Sequence, residues 1–338
     1  MASDAFGQLL ERVRSGESLS EAQSADAFGA IMAGGVGEDD LAAFLKAQAE
    51  RGPTVAEIVG AARAMRRAMT SIESNPYAID LCGTGGDGAA TLNISTACSF
   101  VVAACGVPVA KHGNRNMSSK SGTADCLEAL GVKIDLTPAD ASRCLRTAGL
   151  CFLFAQAYHP AMKFVAPVRK KLGIRTIFNL LGPISNPARV RRQLIGVYDK
   201  AWCVPLAEVL GRLGAERAWV VNGDGLDELT VSGASHVAVL EDGAITTREI
   251  VPEDAGVGRW PLAAIKGDDC AHNAAALTRL FEGERGAYRD IVVLNAAAAL
   301  VVGGKAGDLR AGAGLAAEVL DNGAAMAKLK QLIEVSNA

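Results

Sequence analysis

The stretch AIDLCGTGGDGAATLNIST, residues 78–96, decides the fold that we expect for this chain. AIDLC is a short apolar run that predicts a buried β-strand, and NISTACSFVVAACG, residues 93–106, has the pattern of a helix. GTGGDG lies between them, and its glycines allow backbone amides to approach a ligand closely. A strand, a glycine loop and a helix N-terminus in this order predict a phosphate site at the carboxyl edge of an α/β sheet.

The glycine loop matches neither of the common nucleotide-binding fingerprints. Asp87 lies where a G-x-G-x-x-G motif would bring its third glycine, and no Gly-Lys-Ser/Thr follows as in a Walker A loop. Asn93, Ser95 and Thr96 add hydrogen-bond donors where the helix starts. The loop taken alone is also compatible with a plain tight turn, so other segments must decide between the two readings.

The composition sets limits on the class of protein. The chain has 338 residues with 50% hydrophobic and 21% charged residues and a net charge of −3, which is typical of globular domains. Because there is no basic surplus, binding of nucleic acid by bulk electrostatics is not expected. An anion site would have to be built locally from backbone amides and a few cations.

Cysteine usage and hydropathy suggest a cytoplasmic protein with no membrane segment. None of the eight cysteines forms a C-x-x-C pair, which favours reduced, mostly buried thiols. The N-terminus has no signal-peptide core. The longest apolar run, residues 291–304, is interrupted by Asn295 and is too short to cross a bilayer, so it predicts a core helix.

The first seventy residues predict helices alone. Capping boxes are expected at Ser18 with Glu21 and at Thr54 with Glu57, and a helix is expected to start at Asp39 or Asp40. No run in this region alternates as a strand does.

From residue 75 onward short β-rich runs alternate with helical patterns. Examples are the predicted strands VKIDL, residues 132–136, and LCFLFA, residues 150–155, and a hairpin that turns at Asp242-Gly243. Residues 160–183 break this rhythm with helical runs and could return to the N-terminal helices. The predicted fold class is α/β: a small all-helical domain and a larger α/β domain with a central, mostly parallel sheet flanked by helices.

A polar loop follows the next predicted strand. AKHGNRNMSSKSGTAD, residues 110–125, crowds basic and hydroxyl side chains between glycines. These are Lys111, His112, Asn114, Arg115, Ser118, Ser119 and Thr123. A lysine and several donors at the same sheet edge as GTGGDG can hold a diphosphate, although a solvated surface loop would also be polar.

Two adjacent carboxylates follow the strand AWVVN. Asp227 and Glu228 lie in GDGLDELTVSG, residues 223–233, and in a loop both can reach the same cation. Mg²⁺ commonly takes one or two carboxylates together with substrate phosphate oxygens and water. An isolated Asp-Glu pair is more often a solvated turn, but a neighbouring diphosphate site favours the metal reading.

The order and spacing of these motifs resemble the anthranilate phosphoribosyltransferase family nearly from end to end. The resemblance rests on LCGTGGDG, LNIST, KHGNRNMSSKSGTADCLEALG, HPAMKFVAPVRKKLGIRTIFNLLGPISNPA and DGLDELT. It implies transfer of phosphoribosyl from 5-phosphoribosyl 1-diphosphate (PRPP) to the amine of anthranilate, with Mg²⁺ as cofactor, in tryptophan biosynthesis. It also implies a homodimer formed through the helical part and, as a further partner, the subunits of anthranilate synthase.

The resemblance also implies a division of the chain into two domains. A helical, dimerising domain would comprise residues 1–72 with about 160–190. An α/β domain that binds PRPP would comprise residues 73–159 with 191–338.

Site roles carry over from the family by position. Lys111, His112 and Asn114 correspond to catalytic positions, and Ser95, Asp227 and Glu228 to metal contacts. PRPP contacts correspond to Gly83, Gly86, Asp87, Thr91, Asn93, Ile94, Ser95, Thr96, Lys111, His112, Gly113, Asn114, Arg115, Asn116, Met117, Ser118, Ser119 and Thr123. Thr123 fits loosely because the family usually has a smaller residue there.

The anthranilate contacts implied by the resemblance are Gly83, Asn114 and Arg169. A guanidinium can hold the benzoate carboxylate through two hydrogen bonds. By sequence alone, Arg169 with Lys170, Lys171 and Arg175 could equally be the basic face of an exposed helix.

Two rival functions share the expected architecture. A pyrimidine nucleoside phosphorylase would also attack a ribosyl C1, but it carries a different loop in place of KHGNR and the Asp-Glu pair. A nucleic-acid-binding protein of the same fold should have a basic groove and eroded donor loops, whereas here the overall charge is acidic and the loops are intact.

Overall fold

The N-terminal part is helical, as expected. The computed structural model describes residues 2–115 and 122–338, beginning with α1 (Ala2–Arg14), α2 (Glu21–Met32), α3 (Glu38–Arg51) and α4 (Val55–Ala68). The predicted capping box of Thr54 with Glu57 starts α4. The expected box of Ser18 with Glu21 is wrong, because Ser20 and Gln23 form it instead. The Ser18 hydroxyl accepts a hydrogen bond from Arg51 at 2.5 Å.

A seven-stranded sheet forms the centre of the remaining chain. Its strands are β1 (Ile79–Gly83), β2 (Val109–Gly113), β3 (Leu150–Phe154), β4 (Arg192–Gly196), β5 (Arg217–Asn222), β6 (Ser235–Glu241) and β7 (Ala244–Ile250). The spatial order is β3-β2-β1-β4-β5-β6-β7, with β1 to β5 parallel and β6 and β7 antiparallel. The strand order reverses between β1 and β4, which is where open α/β sheets bind ligands.

Helices cover both faces of the sheet. They are α5 (Ile94–Ala104), α6 (Thr123–Ala129), α7 (Pro138–Ala148), α8 (Ala155–Tyr158), α9 (Ala166–Leu172), α10 (Phe178–Leu181), α11 (Cys203–Arg212), α12 (Cys270–Phe281), α13 (Ala287–Val302), α14 (Leu309–Asp321) and α15 (Ala324–Asn337). Short 3₁₀ turns span Pro160–Phe164, Lys200–Trp202, Pro252–Ala255 and Leu262–Ile265. The architecture confirms the predicted fold class.

Alternate residues of the strands enter two different apolar cores. In β5, Trp219 and Val221 pack on the side of α5 and α13, whereas Ala218 and Val220 pack on the side of α4 and α11. Successive side chains of a strand point to opposite faces of the sheet, so every second residue enters the same core. The predicted core helix at residues 291–304 is confirmed as most of α13, and Asn295 within it bonds to the backbone of Leu229.

One predicted strand is wrong. Residues 132–136 form no strand, although Val132, Ile134 and Leu136 are buried as alternation predicts. The segment instead connects α6 to α7, and the Lys133 amide donates to the Ser336 hydroxyl in α15. Alternation therefore reported burial correctly, but no neighbouring strand offers this segment a ladder of hydrogen bonds.

The segment from α8 to α10 returns to the N-terminal helices. Helix α9 packs on α3, α10 packs on α4, and the 3₁₀ turn at Pro160–Phe164 packs on α2. These contacts support, as a proposal, the division into residues 1–72 with about 160–190 and residues 73–159 with 191–338. No helix in the described ranges has the length and apolar character needed to cross a membrane.

Candidate active site at the carboxyl edge of the sheet

Two glycines make room for Asp227 at the carboxyl edge. Gly83 and Gly196 end β1 and β4 side by side. A Cβ atom added to Gly83 would lie 2.2 Å from Oδ2 of Asp227, and one added to Gly196 would lie 1.5 Å from the Asp227 carbonyl oxygen. Since carbon atoms cannot approach so closely, only glycine at both positions admits the acidic loop. The Gly85 amide then donates to Asp227 Oδ2 at 2.7 Å, which joins the two loops predicted from sequence.

Three carboxylates meet in this cleft. Burial, reinforced by the neighbouring Asp87, raises the pKa of Asp227 to about 7. Burial and the charge of Asp227 raise the pKa of Glu228 to about 8. Desolvation and like charge both disfavour the ionised carboxylates. The raised pKa values therefore indicate that, among the described residues, too few cations lie close enough to balance these acids.

Lys111 provides part of the missing charge. It is buried in the middle of β2, and its Nζ donates to the Leu81 carbonyl at 2.6 Å and to Ser95 Oγ at 3.2 Å. The Ser95 amide, at the first turn of α5, donates to Glu228 Oε1 at 3.1 Å. Lys111, Ser95 and Glu228 therefore form one connected network, and the ammonium charge counteracts the rise in the pKa of Glu228.

The donor set suits a magnesium ion. Among residues 2–115 and 122–338, no group of three or more His, Cys, Asp or Glu side chains could hold a metal by itself. The carboxylates of Asp227 and Glu228 and the hydroxyl of Ser95 are hard oxygen donors, which Mg²⁺ prefers, and Mg²⁺ usually completes its shell with substrate oxygens and water. A divalent cation would relieve the mutual repulsion of these half-buried acids.

A pair of buried histidines lies beside this network. His112 Nε2 is 3.2 Å from His159 Nε2, and His112 Nδ1 is 3.2 Å from the Gly182 carbonyl. Burial and the neighbouring His159 hold the pKa of His112 well below its usual value. Burial lowers the pKa of His159 to about 4. Both rings are therefore neutral at pH 7.

Asp80 anchors His112 from beneath. Its carboxylate accepts from the His112 amide at 3.0 Å and from Asn186 Nδ2 at 2.7 Å, while burial raises its pKa to about 6. Asp80, Asn186 and His159 were not predicted from sequence as parts of the site. Asp80 could have been noticed in the sequence, because it is a charged residue inside the apolar run AIDLC. A buried charge requires a hydrogen-bonding partner.

The predicted PRPP contacts at the start of α5 already bond to protein. Asn93 Oδ1 accepts from Asn273 Nδ2 at 2.9 Å, and the hydroxyls of Thr96 and Thr123 are 3.3 Å apart. Ile94 is buried, and Thr91 forms an isolated bridge with Lys266. These contacts orient Asn93 against α12 and Thr96 against α6, and their role as PRPP contacts stays a prediction.

The polar loop after β2 is only partly described. Gly113 lies against Phe152 and Thr123, where a Cβ would meet Phe152 Cε2 at 2.8 Å. Asn114 Oδ1 accepts from the Arg115 amide at 2.8 Å. The Arg115 guanidinium pairs with Asp125 and Glu128 of α6, so this charge is directed to α6. Asn116, Met117, Ser118 and Ser119 lie outside the described residues.

Arg169 is distinct from the other basic residues of its segment. Its guanidinium is half-buried, donates to Asn179 Oδ1 at 3.5 Å and lies 5.6 Å from the centre of the Phe178 ring. Burial lowers its pKa. Lys170 and Lys171 are exposed. A half-buried guanidinium with one long hydrogen bond to protein can still bind a carboxylate ligand.

Arg175 connects the helical segment to the glycine loop. Its guanidinium donates to the Gly86 carbonyl and lies 4.2 Å from the centre of the Tyr198 ring. The Tyr198 amide in turn donates to Thr84 Oγ1 at 3.1 Å. From sequence, Arg175 was only one of several basic residues near a helix, because the pattern did not show that α9 ends at Leu172 and that Arg175 lies beyond it.

Two family models match the chain. The helical bundle domain of a glycosyl transferase family matches residues 7–69, and the a/b domain of a glycosyl transferase family matches residues 75–326. A helical bundle, a largely parallel sheet and an acidic cleft at its switch point therefore define a two-part glycosyl transferase.

Curated relatives and solved structures narrow this class. Anthranilate phosphoribosyltransferases from Rhodopseudomonas palustris and Rhizobium meliloti are 55% and 54% identical, over 98% of this chain and 98% of each relative. The enzyme from Thermus thermophilus has a TM-score of 0.93 at 42% identity and covers 97% of this chain and 99% of its own. The chain belongs to the anthranilate phosphoribosyltransferase family.

A more distant structure shares the fold. Anthranilate phosphoribosyltransferase from Saccharomyces cerevisiae, in complex with PRPP and Mg, has a TM-score of 0.90 at 24% identity, with 98% of both chains covered.

Proposed function

We propose that the carboxyl-edge cleft transfers the 5-phosphoribosyl group of PRPP to the amine of anthranilate. The products are N-(5-phosphoribosyl)anthranilate and diphosphate, and the reaction belongs to tryptophan biosynthesis. The observation that carries this proposal is the meeting of the glycine loop, Lys111 and the acids Asp227 and Glu228 in one cleft. Relatives of this chain bear the name of this activity, and the yeast enzyme has been solved with PRPP and Mg.

Charge stabilisation is the main task of the cleft in this reaction. The bond between ribose C1 and the diphosphate oxygen breaks, a bond from C1 to the anthranilate nitrogen forms, and the nitrogen then loses one proton to diphosphate or water. Negative charge develops on the leaving diphosphate, where Lys111 and the amides of the glycine loop can bind it. An aniline nitrogen is unprotonated at pH 7, so no strong base is required.

Mg²⁺ fits beside Asp227, Glu228 and Ser95, and when bound it would supply positive charge for the diphosphate oxygens. Contacts within the chain fix the positions of these metal-binding groups. Gly83 and Gly196 fix the acidic loop, and the backbone amide of Ser95 orients Glu228.

Arg169 is the proposed partner of the anthranilate carboxylate, with Gly83 and Asn114 as further contacts. Its support is a half-buried guanidinium bonded only weakly to Asn179. The neutral histidine pair supports a role for His112 in shaping this side of the cleft, because an uncharged ring does not repel the reacting C1 centre as positive charge develops there.

The activity is tested by mixing the protein, Mg²⁺, anthranilate and PRPP and following the loss of anthranilate fluorescence. We expect the fluorescence to fall, with one diphosphate released per anthranilate consumed. Thymidine with phosphate serves as the control for a nucleoside phosphorylase. Product from thymidine and none from anthranilate would replace the proposed function with the phosphorylase reaction.

Arg169→Ala tests the acceptor site separately. We expect the KM for anthranilate to rise about 30-fold, because a charge-assisted hydrogen bond contributes about 2 kcal/mol, while the KM for PRPP changes little. Steady-state kinetics with each substrate varied in turn gives both constants. Equal increases in the two constants would remove Arg169 from the carboxylate site.

We further propose a homodimer in the cytoplasm that associates with anthranilate synthase subunits. Free cysteines, all but one of them buried, support a reducing compartment.

Phe164 and Ile174 support the dimer, since these large apolar side chains of the returning helical segment are 40% and 43% exposed. Light scattering after size-exclusion chromatography should give twice the chain mass, and Phe164→Glu should give the monomer mass. A native chain of monomer mass contradicts the dimer.

A further inference from the structure

A cavity lined by arginines lies at the amino edge of the sheet. Its volume is about 280 Å³, and its lining residues are Arg63, Arg66, Arg67, Arg189, Arg212 and Leu213. Helix α4 supplies the first three, and Arg212 ends α11. Because β4 begins at residue 192 and β5 at residue 217, Arg189 and Arg212 lie where these strands begin, at the end opposite Gly83 and Gly196. The cavity is therefore separate from the carboxyl-edge cleft.

Few carboxylates balance these five guanidinium groups. Glu21 pairs with both Arg63 and Arg212, and Glu208 lies 3.9 Å from Arg212. Within the described part of the chain, no carboxylate lies within 4.0 Å of the guanidinium groups of Arg66, Arg67 or Arg189. Arginine cannot relieve this excess by losing a proton at neutral pH.

Backbone carbonyls orient the arginines without neutralising them. Arg66 Nε donates to the Ile184 carbonyl at 2.8 Å, and Arg189 donates to the Arg66 carbonyl at 3.2 Å. The C-terminal ends of α4 and α11 contribute roughly half a negative charge each. Burial, together with repulsion from Arg189, lowers the pKa of Arg66 to about 10. The guanidinium groups of Arg66 and Arg189 are therefore held in place while a positive excess persists.

We propose that this cavity binds a small phosphate-type oxyanion carrying two or more negative charges. A guanidinium group can donate two parallel hydrogen bonds, a guanidinium fork, to the oxygens of a phosphate group. The three arginines without a carboxylate partner can offer several of these paired donors. The cavity is at the lower limit of ordinary ligand pockets, which suits phosphate, diphosphate or a sugar phosphate. The net charge of −3 for the whole chain means that the excess is local to this site.

The position of the cavity predicts an effect on stability. Arg66 and Arg67 belong to the N-terminal helices, whereas Arg189 lies in the segment before β4 and Arg212 is the last residue of α11. An anion that contacts both groups would connect them. Since a ligand that binds only the folded state stabilises it, phosphate should raise Tm.

The experiment measures binding of inorganic phosphate to the full chain by calorimetry, without Mg²⁺ and at constant ionic strength. Arg67→Gln with Arg189→Gln is compared with Arg146→Gln plus Arg259→Gln, which removes the same charge elsewhere. We expect phosphate to bind the first variant at least tenfold more weakly and the control within twofold of the native chain. Diphosphate should occupy two sites in the native chain and one in the first variant. Ribose 5-phosphate in a parallel titration distinguishes a sugar phosphate from the inorganic anions by its lower Kd.

Unchanged phosphate affinity in the first variant would overturn the proposal, and so would equal weakening in both variants, since that reports bulk charge alone. Circular dichroism checks that each variant folds. Arg67→Lys with Arg189→Lys keeps the charge but removes the guanidinium forks, and we expect it to weaken phosphate binding about threefold. Native affinity in a folded lysine variant would likewise contradict a guanidinium site.

Discussion

The two edges of the sheet carry opposite imbalances of charge and tolerate them by different means. At the carboxyl edge Asp227 and Glu228 are half-buried, and desolvation raises their pKa values to about 7 and about 8. At the amino edge Arg63, Arg67 and Arg189 are exposed to water. Carboxylic acids can take up a proton when no cation is present, whereas arginine cannot lose one. The comparison teaches that an acidic site without a cation can lose its charge by taking up protons. An arginine site keeps its charge, and here four of its five arginines are exposed to solvent.

The largest expected effect is at the carboxyl edge. Asp227→Asn with Glu228→Gln should reduce kcat by about 1,000-fold at every Mg²⁺ concentration, because two charged contacts that stabilise the leaving group are lost. Initial rates across a Mg²⁺ series give the result. Retention of activity would mean that these acids do not hold the metal.

The same double variant tests the burial argument through stability. Both acids have folded-state pKa values above their unfolded values, so the native protein loses stability as pH rises from about 4 to about 8. The amides do not ionise. In Mg²⁺-free buffer we therefore expect the variant to have a higher Tm than the native chain at pH 8 and little advantage at pH 4. A lower Tm at pH 8 would contradict the repulsion.

A smaller effect is expected from Arg175→Ala, which frees the glycine loop from its contact across the cleft. The KM for PRPP should rise about tenfold, equivalent to about 1.4 kcal/mol, with little change in the KM for anthranilate. Tyr198→Phe is the matched control, since it keeps the aromatic ring under the guanidinium. If Arg175→Ala changed only the amount of folded protein, kcat would fall and the KM for PRPP would remain native.

His159 should make the free energy of unfolding depend on pH. Burial lowers its pKa from 6.5 to about 4, so the native state binds fewer protons than the unfolded state in that range. Stability should fall by about 3 kcal/mol as pH decreases from 6.5 to 4 on account of this group alone. Urea unfolding of His159→Gln should show a shallower decrease than the native chain. Identical decreases would mean that His159 is solvated.

The smallest effect should come from the arginine cavity. Arg67→Gln with Arg189→Gln should leave kcat and both KM values within about twofold, because single surface substitutions change stability by less than about 0.5 kcal/mol and neither residue lies at the cleft. Kinetics in phosphate-free buffer tests this independence. A large loss of kcat would couple the two edges and end the contrast between them.

Local chemistry made most of the fold predictable. Thr54 with Glu57 and the turn at Asp242-Gly243 both lie where the sequence placed them, because caps and tight turns depend on a few adjacent residues. The segment 132–136 failed as a strand because pairing depends on a partner elsewhere in the chain. The capping box slipped by two residues from Ser18 to Ser20 because both serines offer the same hydroxyl.

The candidate site was predictable to a different degree. Gly83 and Asp227 could be expected together because Gly83 ends one parallel strand and Asp227 follows another, and the carboxyl ends of parallel strands share one edge. Lys111 lies within the neighbouring strand β2, and its long side chain reaches Ser95 near this edge. Arg175 and His159 could not, since their contacts with Gly86 and His112 join residues about 90 and 47 positions apart through the returning segment. Periodicity shows which face is buried and does not show which distant group it meets.

The space beside Gly196 limits how the cleft can be redesigned. A single added carbon there would overlap the main chain of Asp227, so a side chain at this position must displace the acidic loop itself. Attempts to enlarge the cleft for bulkier amines should therefore leave the tips of β1 and β4 unchanged. They should begin at Asn179 and its neighbours in the returning segment, where Arg169 is held by one long hydrogen bond.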